Sequence, residues 1–334
     1  MSDLTTNDAS WHTTWRREMA ADVARAYAGD NDVSAVVLAG SVARGWADQH
    51  SDIELDVYWR RPPRDAQRRA ALARAGAVVH VDWATPPDEA AYRALLVQHR
   101  GQLSQIWPYE DFEWSEHFYV NGVNIGVSAF LAETLDQWIE DVVERCDIDD
   151  DKHMRLAAMQ QAVPLHGAGL VAGWQARIHY PDALAQAVID RLMGVQDRWW
   201  DAGYLAARDA FIPRADLLAR MERWLLRLLL ALNRIFLPDP RFKWAGLLID
   251  QMAVKPERLG ERLSEVFRLA PADAVATVQT LANETLDLID LHLPGCDTDF
   301  ARAWLSYRRA VPSPTLARPR TLTRLDIEEE KKDE

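Results

Sequence analysis

The chain has 334 residues, 49% of them hydrophobic, and its 38 basic and 51 acidic residues give a net charge of −13. It is too apolar for a disordered chain and long enough for one or two packed domains. The acidic balance argues against binding to duplex nucleic acid, because such binding depends on neutralisation of phosphates by Lys and Arg.

Tryptophan is unusually frequent, with 14 residues against eight each of Tyr and Phe. Its large ring suits both hydrophobic cores and pockets that stack planar ligands. Core packing is expected to account for most of these residues, because side chains of this kind are mostly buried.

The sequence also indicates in which compartment the protein is found. Cys146 and Cys296 are too few for a disulfide framework or a metal cluster of their own. The chain opens without the segments of a secretory leader. Its most apolar stretch, residues 217–237, is interrupted by five charged side chains, whereas a membrane helix needs about 20 mostly apolar residues. We therefore expect a cytoplasmic protein with no membrane segment, in which this stretch is a core helix.

The first 60 residues predict a helix followed by two strands. Residues 10–28 have helical period, and residues 34–39 (SAVVLA) are typical of a short buried strand. Residues 52–59 (DIELDVYW) alternate acidic and apolar positions, as in a second strand. One face of this strand carries Ile53, Leu55 and Val57, and the other carries Asp52, Glu54 and Asp56.

The next 70 residues predict a basic helix, a strand and a hairpin. Residues 65–75 form the helix, and residues 77–83 (AVVHVDW) are a strand candidate. The basic run is expected to be a solvated face: Arg60, Arg61, Arg64, Arg68, Arg69 and Arg74. Asn121-Gly122 between two β-prone runs indicates a type I′ hairpin, which pairs Val120 with Val123 and His117 with Gly126. Glu116 then falls on the apolar face of the hairpin.

From about residue 131 the pattern is helical, with proline breaks and no further strand signal. We therefore predict an α+β fold, with a mixed sheet and helices in residues 1–140 and an all-helical domain in residues 141–312. Residues 313–334 form an acidic tail, in which residues 326–334 hold six acids and two lysines.

The densest functional signal lies in residues 36–59, VVLAGSVARGWADQHSDIELDVYW. Gly40 allows close backbone approach at the end of a strand, and the turn that follows offers free N–H groups to phosphate oxygens. Eleven residues after Ser41, Asp52 and Glu54 project from one face of a strand and could share a divalent cation. Mg²⁺ prefers a few carboxylates together with substrate phosphates. This combination is what nucleotidyl transfer requires.

Gly40-Ser41, Ala43-Arg44-Gly45 and Ser51-Asp52-Ile53-Glu54-Leu55 resemble the signature of the polymerase-β-like nucleotidyltransferase superfamily. The form Ser-Asp-Ile-Glu is most similar to that of aminoglycoside nucleotidyltransferases of the kanamycin type. The resemblance implies a polymerase-β-like N-terminal domain and a helical domain that helps to bind ATP and the acceptor. It places the triphosphate at Gly40, Ser41 and Arg44, and Mg²⁺ at Asp52 and Glu54.

The family pattern adds a third acid from a neighbouring strand, in a run that matches residues 123–127 here. Gly126 stands at the position of that acid, which is a departure from the pattern. Asp56, Asp82 and His117 are the candidates to replace it. Each also has a structural explanation: a solvated strand end for Asp56, a turn cap for Asp82 and a half-buried hairpin histidine for His117.

The resemblance also implies a general base and phosphate-binding cations in the helical domain. On a predicted helix over residues 182–202, Asp190 and Asp197 lie seven residues apart and are both candidates for the base. Both also fit a solvent-facing stripe of Asp–Arg pairs. Arg234 and Lys243 are the candidates for binding the triphosphate. Trp199, Trp200 and Tyr204 fit an acceptor pocket and core packing equally well, and Trp244 is a candidate for stacking on the nucleotide.

We therefore expect an adenylyltransferase that moves AMP from ATP to a hydroxyl of a small molecule, with Mg²⁺ as cofactor and release of pyrophosphate. The family points to an aminoglycoside-like acceptor. Two alternatives stay open: a protein or tRNA acceptor, as in toxin–antitoxin nucleotidyltransferases, and a regulatory module that binds a nucleotide without catalysis. The sequence is also compatible with a homodimer.

Overall fold

The computed structural model describes residues 6–194 and 199–308. The acidic tail expected at residues 313–334 and the candidate base Asp197 therefore lie outside the described residues. The described chain contains a seven-stranded mixed sheet and many helices, so the α+β prediction is confirmed at this level.

The strands are β1 (Val33–Leu38), β2 (Ile53–Trp59), β3 (Val81–Asp82), β4 (Gln105–Ile106), β5 (Trp114–Val120), β6 (Val123–Leu131) and β7 (Val163–His166). Their order in the sheet is β3-β4-β5-β6-β2-β1-β7. β2 pairs in parallel with β6 and antiparallel with β1. The strand with alternating acids is therefore an interior strand, and its position is fixed from both sides.

The helices are α1 (Thr6–Ala28), α2 (Gly40–Arg44), α3 (Asp65–Arg74), α4 (Glu89–Gln98), α5 (Ala132–Ile139), α6 (Asp150–Gln160), α7 (Ala168–Arg177), α8 (Asp182–Met193), α9 (Ala202–Ala207), α10 (Phe211–Leu232), α11 (Ala245–Gln251), α12 (Leu259–Glu265), α13 (Pro271–His292) and α14 (Asp299–Ser306). A π-helical turn covers Glu140–Glu144, and 3₁₀ turns cover Trp199–Asp201 and Val266–Arg268. Across the described residues, no helix combines the length and the apolarity needed to cross a bilayer.

Two cores sandwich the sheet and a third lies among the later helices. On one face, Ile53 and Leu55 pack with α1 and α3, as the alternation in β2 predicted. On the other face, Tyr58 packs with residues of α5, α6 and α7, including Trp174. The third core joins residues from α8 to α14 and has α10 at its centre. Burial of these apolar faces is the main contribution to stability.

The hairpin prediction is confirmed in turn and in register. Asn121 and Gly122 both have positive φ, +50° and +80°, as a type I′ turn requires. β5 and β6 pair Val120 with Val123 and His117 with Gly126.

Two strand predictions are wrong. Only Val81–Asp82 of residues 77–83 is strand, because β3 pairs with β4 over just these two residues. Conversely, β7 lies beyond residue 131, where no strand was expected. Its sequence, Val-Pro-Leu-His, gave no strand signal, because it is short and its proline lacks a backbone N–H donor. β7 is an edge strand paired with β1, a place where the sheet tolerates a proline.

Two helices end earlier than predicted. α8 ends at Met193 and has Gly194 as its C-cap, so the predicted helix over residues 182–202 does not continue as one element. α10 ends at Leu232, because Arg234 adopts a positive φ of +59° that an α-helix does not contain.

The sheet layer extends past residue 140. β7 completes the sheet, and α6 and α7 cover one of its faces. The predicted division between residues 140 and 141 therefore does not coincide with the edge of this layer. The helices from α8 onward contribute to a core of their own.

The predicted solvated arginine face is wrong at one position. Arg68 is 1% exposed and forms an ion pair with Glu116, which is 2% exposed. Burial raises the pKa of Glu116, while the Arg68 charge and hydrogen bond oppose that rise. The other five arginines of the run are exposed. Arg68 lies on the side of α3 that faces the sheet, so its charge needs the buried carboxylate as partner.

Candidate functional site

The turn after β1 brings the backbone at Gly40 against the Glu54 side chain. The Ala39 N–H donates a 2.9 Å hydrogen bond to the Glu54 carbonyl, which ties the turn to β2. Gly40 has φ of +64°, and a Cβ built on it would lie 1.5 Å from Glu54 Oε2. Only glycine satisfies both the backbone conformation and this close approach.

Asp52 and Glu54 form an acidic pair at the start of β2. They lie two residues apart along the strand and therefore share a face. Solvent reaches Glu54, yet surrounding protein atoms desolvate it enough to raise its pKa, and the Asp52 charge raises that pKa further. A cation bound at this place would relieve the unfavourable charge of Glu54.

Gly126 leaves a space beside this pair. β6 places Gly126 next to Glu54 on one side and opposite His117 on the other. A Cβ at Gly126 would meet nothing nearer than His117 Cδ2, at 4.0 Å. Within the described residues, no group of three or more His, Cys, Asp or Glu side chains is arranged to hold a metal ion.

Asp56 continues the same face of β2 but is buried, so the explanation as a solvated strand-end acid is wrong. It is 4% exposed, because α6 covers this part of the sheet. Burial raises the pKa of Asp56 to about 7, against the opposing charge of Arg155, whose Nη1 lies 4.0 Å from Asp56 Oδ1. Asp56 Oδ2 has no hydrogen-bond partner.

Asp82 lies far from the acidic pair. Four strand spacings separate β3 from β2, which amounts to about 19 Å. Asp82 forms an ion pair with Arg69 and accepts a 3.0 Å hydrogen bond from the Ala84 N–H, as a turn cap does. The structural explanation for Asp82 is the one that its contacts support.

His117 is the candidate that the sheet brings close to Asp52. Burial lowers the pKa of His117, and the Asp52 charge acts in the opposite direction. The ring is half-buried beside Tyr119, with ring centroids 5.9 Å apart. His117 therefore borders the space left by Gly126.

The loop of residues 239–243, which follows α10, comes near Glu54. Asp239 accepts backbone hydrogen bonds from Arg241 (3.0 Å) and Lys243 (3.3 Å), which fold residues 239–243 into a tight turn. The Lys243 charge lowers the pKa of Glu54, so its ammonium lies within electrostatic range of that carboxylate. The structure thus brings Lys243 and Glu54 together from distant parts of the chain.

Arg44 lies within electrostatic range of both Glu54 and this loop. The charges of Glu54 and Asp239 both act on its guanidinium, whose pKa is lowered chiefly by burial. Its Nε donates a 3.0 Å hydrogen bond to Gln161 Oε1, and the group lies over the Trp46 ring at 5.4 Å. The charges of Arg44 and Lys243, together with that of Arg155, therefore act on Glu54.

Ser41 is buried in α2, directly after Gly40. α2 has only five residues, so the dipole of this helix is too weak to hold an anion by itself. Attraction of a phosphate to this turn would depend on the cations Arg44 and Lys243.

Two arginines of α1 support the site, and no sequence signal indicated them. Arg16 is 3% exposed, and its guanidinium donates to the carbonyls of Ser51 (2.8 Å) and Gln49 (3.3 Å), just before Asp52. Arg17 donates to two carbonyls of α2, those of Val42 (3.2 Å) and Ala43 (2.7 Å). α1 thus fixes both the segment before Asp52 and the helix after Gly40.

The remaining candidates have other contacts. Arg234 bonds to Asp182 at 2.8 Å and to two carbonyls at the C-terminus of α10, as a helix-capping cation does. Asp190 is exposed on α8 and accepts a hydrogen bond from the Cys296 thiol. Trp199 is 2% exposed and packs in the helical core. Tyr204 packs against the same core, and Trp244 is half-buried beside Lys243.

No family model matches the chain, and no curated protein matches its sequence. Among solved structures, the chain is similar to a nucleotidyltransferase-like protein from Exiguobacterium sibiricum 255-15. The identity is 11%, the match covers 91% of this chain and 85% of that chain, and the TM-score is 0.29. A TM-score this low carries no weight for fold or function, so the contacts around Glu54 stand on their own.

Proposed function

We propose that this protein is a Mg²⁺-dependent nucleotidyltransferase that moves AMP from ATP to a hydroxyl of a small molecule. The observation that carries the proposal is the approach of Gly40 to the Glu54 carboxylate, with Asp52 beside it. Arg44 and Lys243 supply positive charge at the same place. A carboxylate pair flanked by cations suits a triphosphate that arrives with a divalent ion.

The donor chemistry fits Mg²⁺. Asp52 and Glu54 offer hard carboxylate oxygens, and Mg²⁺ in phosphoryl-transfer sites commonly takes one or two protein carboxylates and completes its shell with phosphates and water. When bound, the ion would neutralise charge on the triphosphate and favour in-line displacement. Because the Asp52 charge disfavours the charged form of Glu54, binding of a cation between them would be favourable.

In the proposed reaction, an acceptor hydroxyl oxygen forms a bond to the α-phosphorus of ATP. The bond from that phosphorus to the oxygen bridging the α- and β-phosphates breaks, and pyrophosphate leaves with the electron pair. Lys243 and Arg44 would hold phosphate oxygens and offset the leaving charge. The hydroxyl proton passes to a carboxylate, for which Asp190 and Asp197 are the proposed candidates.

A cationic acceptor suits the charge of the chain. The net charge of −13 and the acidic pair would attract a polyamine-like or aminoglycoside-like molecule electrostatically. The resemblance to kanamycin-type enzymes supports the same acceptor class.

A second candidate function is a regulatory module that binds a nucleotide without turning it over. The observation that favours it is Gly126, which leaves open space where a third carboxylate would stand beside Glu54. The pair would then hold Mg²⁺ and ATP less rigidly and would not align the reacting groups.

The test is incubation with α-³²P-labelled ATP, Mg²⁺ and a panel of acceptors that includes aminoglycosides, tRNA and proteins. We expect label in a small cationic acceptor and release of pyrophosphate. Asp52→Asn and Glu54→Gln should each lower the rate about a hundredfold or more, because each removes a charge from the metal site. Asp273→Asn, on an exposed part of α13, is the matched control and should leave the rate unchanged.

Gly126→Asp separates the two candidate functions. The nearest atom to the new Cβ is 4.0 Å away, so the variant should fold. Turnover by the wild type supports the transferase. ATP binding without turnover in the wild type, with turnover gained in Gly126→Asp, supports the regulatory module. If wild-type protein neither binds ATP nor releases pyrophosphate, both proposals fail.

A further inference from the structure

A separate cavity of about 230 Å³ lies within the helical region. Three tryptophans from three different elements line it: Trp199, Trp224 and Trp304. Trp199 comes from the 3₁₀ turn before α9, Trp224 from α10 and Trp304 from α14. This cavity gathers three of the 14 tryptophans, a feature that the proposed nucleotide site does not explain.

Two of these rings are fixed in orientation. The Trp199 Nε1–H donates a 3.0 Å hydrogen bond to the Leu305 carbonyl, and the Trp224 Nε1–H donates a 3.0 Å bond to the Leu192 carbonyl. The Trp199 ring is 2% exposed and forms a closed wall of the cavity. Trp224 is half-buried and, because its N–H is already used, can offer a ligand only the surface of its ring. Fixed rings lose little conformational entropy when a planar ligand stacks on them.

Among the described residues, the charged side chains that line the cavity are all basic. Arg220, Arg223 and Arg227 of α10 line it, and no acidic side chain of the described residues does. Arg220 and Arg227 form ion pairs with Asp216 and Asp150, and Arg223 is exposed. Because two of the three guanidinium groups are already paired with carboxylates, the net positive charge of this lining rests on Arg223, and it favours an anion.

We propose that this cavity binds a small aromatic carboxylate of one or two rings. Trp224 and Trp304, which are both half-buried, would stack on its rings, and Arg223 would bind its carboxylate. The cavity volume lies just below the usual range for drug-sized ligands, about 300–1,000 Å³, so the cavity accommodates a ligand of one or two rings.

The cavity is distinct from the proposed nucleotide site. Arg223 precedes the end of α10 at Leu232 by nine residues, which is about 14 Å along the helix axis. The loop that carries Lys243 follows that end. A ligand in the cavity would therefore contact the middle of α10, and its binding does not depend on Asp52 or Glu54.

The test is calorimetric titration of the intact protein with 1-naphthoate, and with its neutral isostere 1-naphthamide. We expect saturable binding of one naphthoate per chain and at least about tenfold weaker binding of the amide, because the amide lacks the charge that pairs with guanidinium. Arg223→Gln should weaken naphthoate binding about tenfold. Trp304→Ala should weaken it similarly, and Trp304→Phe should restore most of the affinity.

Matched controls lie outside the cavity. Arg268→Gln and Trp11→Phe change exposed residues of the same types and should leave the affinity unchanged. Asp52→Asn should also bind naphthoate normally, so that this proposal and the transferase proposal fail separately. Absence of saturable binding to about 1 mM, equal affinity for the amide, or displacement of naphthoate by Mg²⁺-ATP would each overturn the proposal.

Discussion

At the scale of single residues, the candidate site depends on a glycine that lies against a carboxylate. Gly40 combines a left-handed backbone with a side chain position already occupied by Glu54 Oε2. These two constraints are separable, because one concerns the backbone and the other concerns atoms of Glu54.

Gly40→Ala should therefore lower the free energy of unfolding by about 1–3 kcal/mol and abolish ATP binding. Urea unfolding and equilibrium binding measure the two effects. In Gly40→Ala/Glu54→Ala the clash is gone, so the loss of stability should shrink to the backbone cost, about 1 kcal/mol. Gly169→Ala, in α7 with open space around it, is the control and should not destabilise the protein. An equally stable Gly40→Ala would contradict the close approach.

Glu222 shows how burial of one side chain makes stability depend on pH. It lies on α10 with Oε1 buried and without a hydrogen-bond partner. Burial raises its pKa from the ordinary 4.5 to about 7, against the charge of Arg223. The folded protein thus keeps this proton to a higher pH than the unfolded chain does.

The contribution of Glu222 to stability should be complete below about pH 4.5 and lost as the pH rises to about 7. Glu222→Gln removes this dependence and should be more stable than the wild type above pH 7, by about 1–3 kcal/mol. The measurement is urea unfolding of both proteins between pH 4 and 8. Glu18→Gln, at an exposed position of α1, serves as control. If the free energies of unfolding of the wild type and of Glu222→Gln change with pH in the same way, the pKa of Glu222 is not raised in the folded protein.

At the scale of elements, α1 holds the segment before Asp52 and the helix α2 in place. It packs on the sheet through its apolar face, Arg16 bonds to the loop before Asp52, and Arg17 bonds to α2. Arg16 is buried with its donors on backbone carbonyls, so its geometry matters as much as its charge.

Arg16→Lys should keep the charge but lose the paired contacts to Ser51 and Gln49. We expect a loss of about 1–3 kcal/mol in unfolding free energy, and weaker Mg²⁺-ATP binding because the segment before Asp52 is released. Arg25→Lys, at an exposed position of the same helix, should change neither quantity. If Arg16→Lys binds Mg²⁺-ATP as the wild type does, α1 does not position Asp52.

At the scale of the whole molecule, the sheet and the helices after residue 140 share a core. Tyr58 and Phe130 of the sheet pack with α6, α7, Leu184 and Phe236. Trp46, near the acidic pair, packs against the helical core, and the charge of Asp239 reaches Arg44. The candidate site therefore draws on both parts of the chain.

A fragment of residues 1–140 should not fold on its own. It lacks β7, α6 and α7, so one apolar face of the sheet would be open to water. We expect neither a cooperative thermal transition nor dispersed amide resonances, whereas a fragment of residues 1–180, which restores these elements, should show both. Cooperative unfolding of residues 1–140 would mean that the sheet closes this face without α6 and α7.

Much of the local structure follows from the sequence. The alternation in β2 places Ile53 and Leu55 in the core and Glu54 on the opposite face, and Asn121-Gly122 fixes a hairpin register that pairs His117 with Gly126. These features depend on neighbours in the chain, through side-chain period and turn geometry, which a sequence displays directly.

Only the tertiary structure decides what lies across from these residues. The fold buries Asp56 under α6 and pairs Arg68 with Glu116. It also places Asp82 at the edge of the sheet, far from the acidic pair. It also brings Arg16 and Lys243 to the acidic pair. Such contacts join residues distant in sequence, and the packing that sets their exposure and pKa leaves no local pattern. The sequence by itself determined the acidic pair and its glycine turn, and the fold determined their surroundings.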